Sequence, residues 1–97
     1  MRRVSWSPEA RSDYDAIIEY SANVDPAYAE LMEQRLLAAV TLLCDRPIGR
    51  RSRLPNASQK LVLKTPYLIV YRATDTTLTV LRVLNQSRHW PPRPDAN

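Results

Sequence analysis

Apolar positions along the chain change period twice, and each change marks an element. Arg3–Trp6 alternates apolar and polar residues, as a short strand would. From Ala10 onward Tyr14, Ile17, Ile18 and Ser21 recur at helical spacing. Just ahead of them, Ser7-Pro8-Glu9 is a helix start. Serine can cap the first turn, proline has no N–H to leave unpaired there, and glutamate sits at the positive end of the helix dipole. The pattern predicts an amphipathic helix over residues 8–22. Asp25-Pro26 repeats the start signal. A second helix is expected from Pro26 to about Asp45, with Tyr28, Met32, Leu36, Ala39, Val40 and Leu43 on one broad face. The link, Asn23 to Asp25, suits an antiparallel helical hairpin. Pro47 and Gly49 are expected to end the second helix.

Ile48 to Pro55 reads as a basic loop carrying Arg50, Arg51 and Arg53. The period then falls to two. Gln59–Lys64, Tyr67–Ala73 and Leu78–Leu84 read as strands, separated by turns at Thr65-Pro66 and Thr74–Thr77. From Asn85 a tail with Pro91, Pro92 and Pro94 cannot extend a sheet. The short turns require antiparallel pairing, since a parallel crossover needs a dozen or more residues. The expected fold is α+β: an N-terminal strand, an antiparallel helical hairpin on one face of a small, mainly antiparallel sheet (β-α-α-β-β-β), and an irregular tail over about 85–97. A chain of 97 residues is read as one domain, residues 1–97.

A tight, symmetric turn at Thr74–Thr77 sets Ile69 opposite Arg82 and Val70 opposite Leu81. Two sheet faces then separate. Leu68, Val70, Leu81 and Val83 are expected against the helices. Tyr67, Ile69, Tyr71, Val80, Arg82 and Leu84 form the other face, too apolar for bulk water and too polar for a sealed core. Such a face suits a partner surface, unless the basic loop or the tail folds over it. Arg82, in mid-strand among Leu and Val, needs a counter-charge or solvent. Its reading is open between a contact for an acidic partner or phosphate and an internal pair with an acidic residue or tail carbonyls.

Composition narrows the classes. The net charge is +4, from twelve arginines and two lysines against ten acidic residues. Arginine's planar fork suits carboxylates and phosphates, so an acidic protein or nucleic acid fits, as does a plain solvated surface. No apolar run approaches a membrane span, and the basic start lacks the apolar stretch of a secretory signal. The lone Cys44, beside Leu42 and Leu43, reads as a buried thiol. Neither a metal set nor a phosphate loop is available, since His, Cys and Gly each occur once. His89 is the only side chain titrating near neutral pH. With Arg88 and Arg82 it could move a proton while the arginines hold a phosphate, or it could simply sit beside Trp90 on the surface.

Three segments in this order resemble the ParE/RelE toxins of bacterial toxin–antitoxin systems. Val4-Ser5-Trp6-Ser7-Pro8-Glu9-Ala10-Arg11-Ser12-Asp13 is similar to their opening, a strand running into a helix that starts Ser-Pro-x-Ala. Tyr67-Leu68-Ile69-Val70-Tyr71-Arg72 resembles their Y-x-I-x-Y-R strand. Val80-Leu81-Arg82-Val83-Leu84, followed by Arg88-His89-Trp90-Pro91, resembles their I-L-R-V-x-H-x-x-R-D-W ending.

The resemblance implies a small cytoplasmic toxin, needing no cofactor or metal, held inactive in a hetero-oligomer by a cognate antitoxin. RelE-like members cut mRNA in the ribosome with a basic and tyrosine-containing set. ParE-like members lack that set and inhibit DNA gyrase, arresting growth. Leu68 stands where a RelE-like strand offers arginine, and Gln86 where another basic residue is expected. Trp90-Pro91-Pro92 lacks the late tyrosine, Asn85 takes the place of the common histidine, and His89 that of the usual aspartate. These departures place the chain on the ParE-like branch. The alternative is an mRNA interferase using His89, Arg88 and Arg82. A third reading is a module that binds its antitoxin but poisons nothing. Antitoxin or target contacts are expected at Tyr67, Ile69, Tyr71, Arg82, Leu84, Arg50, Arg51, Arg53 and Trp90.

Overall fold

Ser7 joins the first strand to the first helix through both functions of its hydroxyl. The oxygen accepts from the Ala10 amide at 2.9 Å, and the O–H donates to the Leu81 carbonyl at 2.8 Å. The helix cap is thereby also a tie to the sheet. Ser7→Ala is expected to cost about 1–2 kcal/mol in urea unfolding, with Ser7→Thr keeping most of it. Equal stability of the alanine variant would reject this dual role.

Residues 1–86 are described in the computed structural model of the chain. Strand β1 (Arg3–Trp6) leads into α1 (Pro8–Val24) and α2 (Pro26–Asp45). Four further strands follow: β2 (Arg50–Arg51), β3 (Ser58–Leu61), β4 (Tyr67–Ala73) and β5 (Thr77–Asn85). The sheet order is β1-β5-β4-β3-β2, with β1 parallel to β5 and every other pairing antiparallel. The α+β hairpin-on-sheet architecture expected from the sequence is therefore the one observed. Among the described residues, no helix is long and apolar enough to cross a membrane.

The helical hairpin is tighter than its sequence suggested. Asp25 alone separates the helices: its N–H donates to the Ser21 carbonyl, and its carboxylate accepts from the Ala27 amide at 3.1 Å. One residue ends α1 and caps α2. The core forms where Ile17 of α1 and Met32, Leu36, Val40, Leu43 and Cys44 of α2 meet the sheet. Burying a side chain such as Met32 or Leu36 contributes roughly 2–3 kcal/mol. Cys44 is a buried free thiol, as expected, and burial pushes its pKa up.

The sheet corrects three expectations. First, the basic segment is not wholly a loop, because Arg50 and Arg51 pair with Gln59 and Ser58 as a two-residue edge strand. Secondly, β3 ends at Leu61 rather than Lys64. There the chain turns, with the Thr65 hydroxyl donating to the Val62 carbonyl at 2.9 Å and Lys64 at φ 61°.

The third correction concerns the sheet faces. Near the turn the register is as expected, with Tyr71 opposite Val80 and Arg72 opposite Thr79. A β-bulge then shifts it, so Val70 faces Arg82 and Ile69 faces Val83. The extra residue, Leu81, lets Val80 and Val83 both point inward although they are three apart. Tyr67, Ile69, Tyr71, Leu78, Val80 and Val83 form the helix-facing side and join the core cluster. Tyr67, Ile69, Tyr71 and Val80 are thus core residues, not members of an open face. Leu68, Val70, Arg82 and Leu84 lie on the other side, where Val70 is nonetheless fully buried.

Candidate functional site

Strand β1 stops at Trp6, opposite Val80, and the chain leaves the sheet as α1. Beyond that point, among the described residues, no strand lies along the outer edge of β5. Asp13, in the second turn of α1, fills the gap. Its carboxylate accepts from the Val83 amide at 2.9 Å, from Arg82 Nε at 2.7 Å and from Arg82 Nη2 at 3.0 Å. The two side chains are 31% and 17% exposed, so the fork-to-fork pair is largely shielded from water. The hydrogen bond to Asp13 raises the Arg82 pKa, while burial works against it. Of the readings left open for Arg82, the structure contains the internal acidic pair.

This pair borders a hollow of about 470 Å³ between α1 and the C-terminal half of β5. Ala16, Ile17 and Tyr20 line its helical wall, and Tyr67, Val83, Leu84 and Asn85 its sheet wall. Burial raises the Tyr67 pKa, with Tyr28 and Tyr20 nearby adding to the shift. The wall offers aromatic and aliphatic surface beside one neutralised ion pair, a lining suited to apolar side chains of a partner.

A second candidate surface continues over the hairpin. Tyr20, Val24, Leu31, Leu37 and Leu42 are exposed apolar residues on its outer side. Leu37 also borders a smaller recess of about 240 Å³ with Trp6, Arg11, Tyr14 and Asp15. Trp6 and Tyr14 meet edge-to-face at 5.6 Å. The Tyr14 hydroxyl donates to Glu33 at 3.1 Å, and its pKa is pushed up to about 12, by burial first and Glu33 second.

The third is the basic edge. Arg50, Arg51 and Arg53 are all exposed at the far end of the sheet from β1. Of the expected contact residues, Arg82 and Leu84 border the hollow and these three arginines lie apart from it. Tyr67 reaches the hollow from inside the core, whereas Ile69 and Tyr71 are buried. Arg88, His89 and Trp90, like the expected tail, lie outside the described residues. Asp13 and Tyr20 are the site residues that sequence reasoning missed. The demand of Arg82 for a counter-charge was the available signal for Asp13. Among the described residues, no group of three or more His, Cys, Asp or Glu is placed to hold a metal ion.

A helical hairpin across a mixed sheet with this strand order is the fold of RelE/ParE-like toxins. The chain superposes with a TM-score of 0.79 on a chain of the chromosomal ParDE toxin–antitoxin system from P. aeruginosa, at 22% identity, covering 88% of this chain and 96% of that one. It superposes on YafQ from E. coli with a TM-score of 0.60 at 17% identity, covering 90% and 96%. In sequence it is 33% identical over 89 residues to Toxin RelE2 of Caulobacter vibrioides, covering 91% of this chain and 99% of that protein. The family model described as ParE toxin of the type II toxin–antitoxin system parDE matches residues 4–90. The chain belongs to this ParE toxin family and is a type II toxin of the ParE/RelE superfamily.

Proposed function

We propose that the chain inhibits DNA gyrase and so arrests growth, and that a cognate antitoxin silences it. The observation that carries this reading is the state of the sheet around Arg82. An mRNA interferase needs cationic groups presented to a scissile phosphate and a group to move a proton. Here the Arg82 fork is engaged by Asp13, and Leu68, on the same face, offers no charge where a RelE-like strand carries arginine. A toxin that acts by occupying a surface of its target needs neither.

The antitoxin lies over the exposed apolar residues of the hairpin and the hollow beside Leu84. A segment disordered when free, folding as it binds, matches a surface of separated apolar patches better than a rigid partner does. The neighbouring chains in the ParDE system and in the DinJ–YafQ complex of E. coli are precedents for such pairing.

The test is a supercoiling assay with purified gyrase and antitoxin-free protein, run beside a ribosome-dependent mRNA-cleavage assay on the same preparation. Supercoiling is expected to be lost while mRNA stays intact. Cut mRNA with normal supercoiling, abolished by His89→Ala, would replace this reading with the nuclease, the activity suggested by the RelE name of the Caulobacter relative. With both activities absent, and growth unaffected by expressing the chain without an antitoxin, only antitoxin binding is left.

A further inference from the structure

Charge is segregated along this chain. Residues 8–45 hold eight of the ten acidic residues and only two basic ones, Arg11 and Arg35. Residues 46–74 hold seven basic residues and no Asp or Glu. The fold preserves that separation in space. Helix contacts with the sheet concentrate on β1 and β5, whereas β2 and β3 form the opposite end.

At that end the arginines stand on an ordered support. Arg50 and Arg51 are successive residues of the outermost strand, so they flank its edge on opposite faces. Arg53 follows in a turn closed by Ser52 N–H to the Ala57 carbonyl at 2.9 Å and by Leu54 N–H to Ser52 Oγ at 3.2 Å. Arg72 of β4 holds the turn from below, its Nε donating to the Asn56 carbonyl at 3.1 Å.

We propose that this edge, Arg50, Arg51 and Arg53, binds the phosphate backbone of duplex DNA. Three observations select that ligand. Guanidinium groups match phosphate oxygens and stay charged at any working pH. Residues 46–66 contain no aromatic residue, so this segment itself supplies no platform on which splayed single-stranded bases could stack. A two-residue β2 is too short to template an added peptide strand, so an acidic protein segment would lack backbone pairing there. Exposed arginines on both faces of a backbone-paired edge, in a segment without aromatic residues, suit phosphate contact that does not read sequence. The inference deepens the gyrase reading and rests on it for its setting, the DNA being the segment that gyrase holds.

The experiment is fluorescence anisotropy of the full chain with a labelled duplex of about 20 base pairs and arbitrary sequence, over a salt series. Three neutralised phosphates give a loss of roughly 40-fold between 50 and 200 mM salt. The triple variant Arg50→Gln, Arg51→Gln, Arg53→Gln, checked for folding by circular dichroism, is expected to lose at least about tenfold at the lower salt and to flatten the slope. The corresponding triple lysine variant keeps the slope. Absence of duplex binding by the unmodified chain, or equal binding by the glutamine variant, would overturn the proposal. So would equal displacement of the duplex by polyglutamate, or tighter binding to single-stranded RNA. Running the supercoiling assay in parallel separates the two readings. DNA binding without gyrase inhibition removes the gyrase reading and leaves the surface; gyrase inhibition without DNA binding does the reverse.

Discussion

Replacing Asp13 with alanine is expected to lower the melting temperature by about 10 °C. Among the described residues the carboxylate is the acceptor of the Val83 amide on the edge of β5, and it also pairs with Arg82. Among the described residues no strand lies on that edge beyond Val80, since Ser7 turns away after donating its amide to the Val80 carbonyl at 2.9 Å. Alanine at position 13 strands one backbone donor and takes the carboxylate from one guanidinium. Losing hydrogen bonds to a charged partner costs about 1.5–3 kcal/mol. Arg82 is nearly a third exposed, so water recovers part of that cost, and about 2 kcal/mol is the expected net loss. In a domain of this size each kcal/mol is worth roughly 4–8 °C. Arg82→Met leaves the Asp13 bond to Val83 in place and should cost about half as much. Thermal unfolding of the two single variants and the double variant gives the coupling directly. A melting temperature for Asp13→Ala within 2 °C of the parent, to take a threshold of roughly half the smallest effect expected from 1 kcal/mol, would show that the edge is satisfied some other way.

That ion pair also shows where legibility from sequence ends. The helix starts at Ser7-Pro8 and Asp25-Pro26 were readable because capping is local: the groups to be satisfied lie within three residues of the cap. The bounds of β4 were readable for the same reason, since Thr65-Pro66 and Thr74–Thr77 break the pattern on either side. Arg82 announced its need for a counter-charge, but α1 offers Glu9, Asp13, Asp15 and Glu19, and the choice depends on how the helix crosses the sheet. The edge strand β2 has only two residues, so it has no alternation to read and exists only because β3 is there to pair with it.

The sheet faces misled for a more specific reason. Both sides of Tyr67–Tyr71 are apolar, so composition does not choose between them. The choice was available in β5, where Thr77-Leu78-Thr79-Val80 alternates without ambiguity. Leu78 and Val80 are fully buried, and the alternating Thr77 and Thr79 are not. Carried across the pairing of Val80 with Tyr71, that alternation puts Tyr71 and Ile69 in the core. No local signal marks Leu81 as a bulge, yet without it Val80 and Val83 could not both face inward.

The second large effect is expected at Gly49, whose role also differs from the helix-ending one its position suggested. Helix α2 ends at Asp45, with the Arg46 amide bonded to the Leu42 carbonyl, so Gly49 is not its cap. Nor does Gly49 adopt a positive φ. What excludes a side chain is close approach: a Cβ there would lie 2.5 Å from the Tyr71 hydroxyl oxygen and 2.6 Å from the Gln59 carbonyl oxygen. Gln59 is held in β3 by pairing on both sides, and Tyr71 is 1% exposed, so neither yields easily. Gly49→Ala is therefore expected to cost about 2–3 kcal/mol, toward the upper end for overpacking. Among the described residues the same hydroxyl is buried without a hydrogen-bond partner, and burial raises its pKa; Ser58, near enough to pull weakly the other way, does not reach bonding geometry. An unpaired buried hydroxyl is itself a cost of about 1–3 kcal/mol. Tyr71→Phe should therefore be neutral or stabilising alone, and should recover about half of the Gly49→Ala loss by removing one of its two clashes. Urea unfolding of the parent, both single variants and the double variant tests this as a cycle. If Gly49→Ala costs as much beside Phe as beside Tyr71, the whole clash belongs to the Gln59 carbonyl, and the argument from the hydroxyl fails.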